Sequence, residues 1–160
     1  MKAKIVTAML IAMVTISAPV QQAYALDFIY PDDVYSMCVE ICEPHDISPE
    51  LVQAIIWRES RYAKDARNRN CQGLMQINEP CHIERMERLG VSDLNNPYEN
   101  IRVGVDYLAE LFEEYEEPGY VLDVYNGNSS AGDNYRHCRL SAYSKSILEL
   151  AEELEKEHGK

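Results

Sequence analysis

The chain contains 160 residues, of which 15 are Lys or Arg and 27 are Asp or Glu, so its formal net charge is −12. A protein with this excess of negative charge repels nucleic acid and anionic membrane surfaces, and no nucleic-acid partner is expected. The length is sufficient for one domain with a substantial buried core.

The segment 1–25 has the pattern of a signal peptide. It starts with a basic stretch, continues with an apolar run at 5–16, and ends with the small residues of a cleavage site at 23–25. We therefore expect a mature chain that begins at Leu26 and an exported protein, located in the periplasm or in the extracellular cell wall. An uncleaved anchor is the alternative, because the apolar run can be extended to Val20.

Five cysteines in an exported chain favour disulfide bonds over catalytic thiols. Because the number is odd, one is left over from the set Cys38, Cys42, Cys71, Cys81 and Cys138. The pairing stays open, with Cys71 to Cys81 as one arrangement that would brace the loop after residue 59. A metal site that combines these thiols with His82 and His137 is the less favoured alternative, because the spacings match no zinc pattern.

The mature chain is predicted to be mainly helical, since no stretch of alternating apolar and polar residues is long enough to require a sheet. The first helix can be capped by Asp32 or Asp33 and stops at Pro44. We assign residues 26–46 to this N-terminal helix, packed on the domain. Residues 47–160 form the domain itself, including a C-terminal helix.

The second predicted helix carries a carboxylic acid on its apolar face. Ser48 is placed to act as its N-cap, and Pro49 occupies the first helical position, where its missing N–H is tolerated. The apolar residues of this helix recur at helical spacing, and Glu59 continues their rows. A carboxyl group in apolar surroundings is harder to ionise, so we expect the pKa of Glu59 to be raised toward neutral pH. The alternative is that the helix rotates near its end and leaves Glu59 solvated.

Further helical segments follow a polar loop at 62–72. They are a short piece that begins with 73–77, a second piece at 83–89, a long helix from Asn96 to the Pro118-Gly119 pair, a brief one at 120–125, and a final helix from Ser141. The long helix has Asn96 as its cap and Glu99 in a box-like arrangement. Gly104 lies in its middle, where glycine costs about 1 kcal/mol relative to alanine, so a close neighbour is expected there.

Four short motifs follow one another along the chain. They are Glu59-Ser60-Arg61-Tyr62, Gly73-Leu74-Met75-Gln76-Ile77, Asn96-Pro97 with Asn100, Gly104, Tyr107 and Leu108, and Tyr125-Asn126-Gly127. Their order and spacing resemble the lytic transglycosylase domain of the soluble type, which cleaves bacterial peptidoglycan. The match extends from about Ile47 to Ile147. The resemblance implies a single-domain, mainly α, lysozyme-like fold with little or no sheet.

The resemblance also implies roles for individual residues, carried over position by position. Glu59 would be the catalytic acid, and Asn100 and Gly104 would belong to the scaffold. The substrate-binding residues would be Ser60, Leu74, Met75, Gln76, Tyr107, Tyr125 and Asn126. Plain core packing is an equal alternative for Met75 and Tyr107, and a turn position is the alternative for Asn126. No metal or cofactor is implied.

The implied activity is cleavage of the bond between N-acetylmuramic acid and N-acetylglucosamine, with formation of a 1,6-anhydro sugar. A single glutamate is sufficient for this reaction, because the 6-hydroxyl of the muramic acid serves as the nucleophile. A hydrolase on the same fold and a non-catalytic wall-binding or assembly protein are the alternatives. The expected partners are peptidoglycan glycan strands and an envelope-spanning assembly, with the protein itself a monomer.

Overall fold

Helices form most of the architecture in the computed structural model, which describes residues 29–128 and 139–160. The described helices are α1 (Pro31–Cys42), α2 (Pro49–Ser60), α3 (Glu79–Leu89), α4 (Pro97–Glu114), α5 (Pro118–Tyr125) and α6 (Ala142–Glu157), with a 3-10 turn at Glu43–His45. Three two-residue strands, β1 (Arg67–Asn68), β2 (Cys71–Gln72) and β3 (Ile77–Asn78), form a small antiparallel sheet in the order β1-β2-β3. This confirms the predicted mainly α, lysozyme-like class with little sheet. The predicted signal segment lies outside the described residues.

Side-chain caps begin three of the helices, and two of them, at Ser48 and Asn96, are those that the sequence indicated. The Ser48 hydroxyl accepts a hydrogen bond from the Leu51 N–H at the start of α2. The Asn96 side chain accepts from two N–H groups at the start of α4, and Ser141 accepts from one at the start of α6. The box-like role of Glu99 was wrong: its carboxylate accepts from backbone N–H groups of the preceding loop and not from that of Asn96.

The segment 73–77 is not helical, which corrects the prediction of a helical piece there. Gly73 and Gln76 both have positive φ angles, 76° and 49°, so the chain turns and enters β3. A β-carbon on Gly73 would lie 2.1 Å from the Asn100 amide nitrogen, so only glycine fits. The following helix, α3, starts at Glu79, earlier than predicted, and is interrupted at His82 by non-helical backbone angles.

Helix α2 lies at the centre of the fold and packs against α1 on one side and α6 on another. Its apolar face is completely buried, and it meets residues that α1, α4 and α6 contribute to the same core. Examples of core residues with no exposed surface are Val34, Val52, Ile55, Ile101 and Leu108. The apolar spacing noted in the sequence therefore marks the buried face. None of the helices within residues 29–128 and 139–160 combines the length and apolar character needed to cross a bilayer.

Gly104 allows α4 to approach the loop before β3. A β-carbon at this position would lie 2.3 Å from the Met75 sulfur and 2.7 Å from its methyl carbon. Met75 is fully buried and has little room to move. The expected close neighbour of Gly104 is therefore present, and it is the side chain of Met75.

We predict that Gly104→Ala destabilises the protein by about 1 to 3 kcal/mol, although alanine is the better helix former, because the new methyl group overpacks the core. Gly119→Ala is the matched control. Its β-carbon would meet only the tip of Leu140, which is exposed and can move, so we expect a change below about 0.5 kcal/mol. Denaturant unfolding of the three proteins measures both values, and equal stability of wild type and Gly104→Ala would contradict the packing argument.

Candidate functional site

Glu59 lies one residue before the end of α2 and faces a groove of about 320 Å³. The helix ends directly after it, because Arg61 adopts a left-handed conformation with a φ of 55°. The carboxyl group is thereby held at the edge of the core, partly shielded from water and still open to the groove. The prediction that Glu59 points inward is confirmed.

The pKa of the Glu59 carboxyl is raised above its ordinary value. Burial is the largest cause, because the charged form loses hydration. Two neighbours act in the opposite direction: the Tyr143 hydroxyl donates a hydrogen bond to Oε1, and the Arg58 guanidinium is close enough to favour the charged form. Burial outweighs both, so the proton is retained to higher pH than on an ordinary glutamate.

Tyr143 is the neighbour of Glu59 that the sequence did not reveal. It lies 84 positions further along the chain, in the first turn of α6, and its hydroxyl is 2.5 Å from Glu59 Oε1. Burial and the charge of Glu59 raise the pKa of Tyr143 far above its ordinary value, so its hydroxyl remains a donor. The Arg58 guanidinium lies 5.7 Å from the ring centre.

The start of α6 is itself anchored to α5. Ser141 and Ser144 both donate hydrogen bonds from their hydroxyl groups to the buried carboxylate of Asp123, which belongs to α5. Tyr143 lies between these two serines. The anchor therefore fixes the turn that presents the Tyr143 hydroxyl to Glu59. Ser141 was expected from the sequence as the start of the final helix, but nothing linked the residue two positions later to Glu59.

Aromatic rings form a second wall of the groove. The rings of His82 and Tyr107 lie 4.7 Å apart between centroids, and those of Tyr107 and Tyr125 lie 5.6 Å apart. The Tyr125 hydroxyl donates to the Met75 carbonyl at 2.8 Å, which joins α5 to the loop before β3. Burial and the charge of Glu59 raise the pKa of Tyr125 well above its ordinary value.

Asn100 holds the loop that forms the floor of the groove. Its side-chain oxygen accepts from the Met75 N–H at 2.8 Å, and its amide nitrogen donates to the carbonyls of Gln72 and Leu94 at 2.9 Å each. The Asn100 side chain that makes these three hydrogen bonds is fully buried. The scaffold role that the resemblance implied for Asn100 agrees with these contacts.

The structure brings together most of the predicted site residues, and it moves three away from the groove. Those that line it are Glu59, Gln76, Tyr107, Tyr125 and Asn126. The predictions for Leu74 and Met75 need correction, because both side chains are fully buried in the core. Ser60 is also buried, and its hydroxyl donates to the Ile56 carbonyl of its own helix at 3.1 Å, so it does not face a ligand.

Gln76 lines the groove, but its side chain also has a structural task. Its amide nitrogen donates to the carbonyls of Ala66 and Gly73, both at 3.0 Å. These bonds hold the turn before β3 against the loop that follows α2. The lining residues that motif reasoning missed are Asn68, Cys71, Asn78 and His82.

Cys71 and Cys81 are free thiols in the structure, so the suggested bridge between them is not present. Cys38 and Cys42 are free as well, and both are buried in the core. Burial is the main cause of a raised thiol pKa at Cys71, with smaller contributions from Glu59 and Cys81. Cys138 lies outside the described residues. Within those residues, no three side chains of His, Cys, Asp or Glu converge on a metal position.

Among the described residues that line the groove, Glu59 is the one carboxylic acid. Glu79 is the nearest candidate in sequence to the lining residues of β3, but it is exposed and accepts a hydrogen bond from the Gln72 side chain. The arrangement therefore supplies one proton donor with an elevated pKa, a tyrosine bonded to it, and a polar and aromatic surface for a ligand.

Comparison with known proteins gives two kinds of similarity. The sequence profile of the family described as Transglycosylase SLT domain matches residues 40–146. Three curated proteins named X polypeptide are similar, two from Escherichia coli and one from Escherichia coli strain K12. The first is 29% identical over 129 residues, which is 69% of this chain and 75% of that protein. The other two are 29% identical over 114 residues, and the match covers 66% of each, just under two thirds of their length.

We predict that Tyr143→Phe raises the pKa of Glu59 further. The substitution removes the hydroxyl that stabilises the carboxylate and leaves the ring in place, so the charged form becomes less favourable. Titration of the labelled carboxyl carbon of Glu59 by NMR measures the change. Tyr98→Phe is the matched control, because its hydroxyl bonds to Glu40 outside the groove. An unchanged or lowered pKa of Glu59 in Tyr143→Phe would show that this hydrogen bond is not formed in solution.

Proposed function

Because the chain belongs to the transglycosylase SLT domain family, we propose that it is a peptidoglycan lytic transglycosylase that cleaves the β-1,4 bond between N-acetylmuramic acid and N-acetylglucosamine. The product would carry a 1,6-anhydro-muramic end. The observation that carries the proposal is the position of Glu59, half-buried at a groove and bonded to Tyr143, with a pKa raised by burial. A carboxyl in this state keeps its proton to higher pH than an ordinary glutamate and can donate it to a bound substrate.

In the first step, protonated Glu59 gives its proton to the glycosidic oxygen while the bond from that oxygen to C1 of the muramic acid breaks. The leaving sugar departs with a free 4-hydroxyl, and positive charge develops at C1. Tyr143 donates to Oε1, so the proton is best placed on the other oxygen of the carboxyl. The same hydrogen bond stabilises the carboxylate that the step produces.

In the second step, the 6-hydroxyl of the muramic acid attacks C1, and the Glu59 carboxylate accepts the hydroxyl proton. This forms the 1,6-anhydro ring and returns Glu59 to its protonated state, so one acid serves both steps. The nucleophile is already part of the bound sugar, which removes the entropic cost of positioning a water molecule. Glycosidases that hydrolyse their substrate ordinarily need a second carboxylate. The presence of a single acid among the described lining residues therefore favours the anhydro route.

Two other functions remain distinguishable by experiment. A hydrolase on the same fold would yield reducing muramic ends, and a non-catalytic wall-binding or assembly protein would bind glycan and cut nothing. The raised pKa of Glu59 favours a catalytic protein over the second of these, because titratable groups with shifted pKa values are concentrated at catalytic sites.

Export, a monomeric state and a partner envelope assembly belong to the same proposal. Export is supported by the signal-like segment 1–25, and a location in the cell envelope by the peptidoglycan substrate class of the family.

We predict that Glu59→Gln lowers the release of anhydro-muropeptides from purified peptidoglycan by at least about 100-fold, because the acid and the base are lost together. Glu84→Gln is the matched control, since Glu84 is exposed and does not line the groove. Mass spectrometry of the soluble products gives both results. Products with only reducing muramic ends would defeat the anhydro route, and full activity of Glu59→Gln would defeat the role of Glu59.

The activity is predicted to fall as the pH rises through the raised pKa of Glu59. The first step needs the protonated carboxyl, so the loss on the alkaline side should have its midpoint above the ordinary pKa of a glutamate. Tyr143→Phe should move this midpoint to still higher pH, whereas Tyr98→Phe should leave it in place. Initial rates from pH 4 to 9 on soluble glycan strands test this, and a flat profile would exclude a single acid with an elevated pKa.

A further inference from the structure

We infer that His82 and Asn78 form a binding site for a secondary amide of the glycan substrate, with the imidazole as donor to the amide carbonyl and the Asn78 oxygen as acceptor from the amide N–H. Both residues line the groove that contains Glu59. The inference rests on the proposed function for the identity of the ligand. Neither residue belongs to the motifs that carried the family resemblance.

The protonation of His82 follows from its neighbour Arg85. The Arg85 Nε–H points at His82 Nδ1 over 3.3 Å, and a guanidinium is only a donor. His82 Nδ1 is therefore the acceptor, and the proton of the neutral imidazole lies on Nε2. Burial, followed by the positive charge of Arg85, lowers the pKa of His82 and keeps the ring neutral. Within the described residues, no side chain or backbone group is bonded to Nε2.

The His82 ring is held in place from several sides. It packs on Tyr107, and the Arg85 guanidinium lies 5.1 Å from the centre of the same tyrosine ring. Arg85 in turn forms ion pairs with Asp106 and Glu110, and its own side chain is almost completely buried. A donor held this firmly loses little conformational freedom when a ligand binds.

The backbone at His82 departs from the helix that surrounds it. Its φ and ψ angles are −124° and 15°, inside a segment that is otherwise helical. The helix is therefore interrupted at this position, between its start at Glu79 and its end at Leu89.

Asn78 supplies the acceptor. It precedes α3 as its N-cap residue, but its side chain makes no capping bond. Its side-chain oxygen is buried and has no hydrogen-bond partner among the described residues. A buried acceptor without a partner is unfavourable by the desolvation of that group, so a ligand that supplies an N–H would relieve the cost. Asn78 also lines the groove, so the inference requires a rotation of its terminal amide that turns this oxygen toward the ligand.

A donor and an acceptor that line the same groove match the two polar atoms of a secondary amide. The proposed substrate has this group in two places: the 2-acetamido substituent of each sugar, and the first amide of the stem peptide. The arrangement also limits the chemistry of His82. With Nδ1 facing the Arg85 N–H, the Nε2–H is the group that can donate a hydrogen bond, which fits the role of a binding residue.

The test measures binding in a Glu59→Gln background, so that no cleavage occurs. His82→Phe keeps a ring against Tyr107 and removes the donor, and His82→Gln keeps an N–H at similar reach and removes the ring. His45→Phe is the matched control, because His45 is exposed and does not line the groove. The probes are a hexamer of N-acetylglucosamine, the same hexamer fully deacetylated, and glycan strands with and without stem peptides. Calorimetry gives Kd for each pair, and melting temperatures verify folding.

We expect His82→Phe to weaken binding of at least one amide-containing probe about tenfold, as for one lost hydrogen bond, and His82→Gln to weaken it less than threefold. Asn78→Ala should weaken binding of the same probe. In the double variant, the fold increase in Kd should be smaller than the product of the two single increases. A loss that needs acetyl groups assigns the sugar acetamido group. A loss that needs stem peptides assigns the peptide amide.

Equal Kd values for His82→Phe and its parent with every probe would overturn the inference, as would an equal loss in His82→Gln, or no binding of any probe. The proposed function is tested separately. If the affinity ratios hold and wild type releases no product, the enzyme proposal fails and the amide site stands. If wild type releases anhydro products and the variants bind every probe with the Kd of their parent, the enzyme proposal stands and the amide site fails.

Discussion

The hydrogen bond between Tyr143 and Glu59 is the contact on which the site depends. It joins the end of α2 to the start of α6, two helices that pack side by side across the core. The carboxyl group it restrains is buried enough to retain its proton and is still open to the groove. If either helix shifted by a fraction of a turn, the hydroxyl would lose the carboxyl, and Glu59 would be both less ordered and harder to ionise.

A second carboxylate on α2 shows how strongly the surroundings decide the charge. Glu50, at the start of the same helix, is completely buried, yet its pKa is lowered to about 2. Burial alone would raise it, but hydrogen bonds from Lys160, His158 and Tyr35 outweigh that effect. Ser48 donates to it as well. Two glutamates on one helix therefore have opposite pKa shifts, because one is surrounded by donors and the other has a single tyrosine.

The groove is assembled from parts that lie far apart in the chain. Asn100 holds the floor through three hydrogen bonds to backbone groups, and Gly104 allows Met75 to lie directly against α4. The Tyr125 hydroxyl on α5 donates a hydrogen bond to the Met75 carbonyl, which attaches α5 to the same loop. The segment 73–76 therefore contributes to the groove mainly through the turn of its backbone, since the side chains of Leu74 and Met75 belong to the core.

What the sequence determined by itself is local. Helical spacing, the N-caps at Ser48 and Asn96, and the inward row that ends at Glu59 depend on residues within one or two turns, so the sequence alone was enough to predict them. The non-helical backbone of the segment 73–77 could not be predicted in this way. The Met75 N–H in this segment is bonded to the side chain of Asn100, which lies 25 residues further along the chain. The pairing of Tyr143 with Glu59 and the exposure of His82 to the groove were also decided only by the tertiary structure, since each depends on how separate helices pack and no short-range pattern records that.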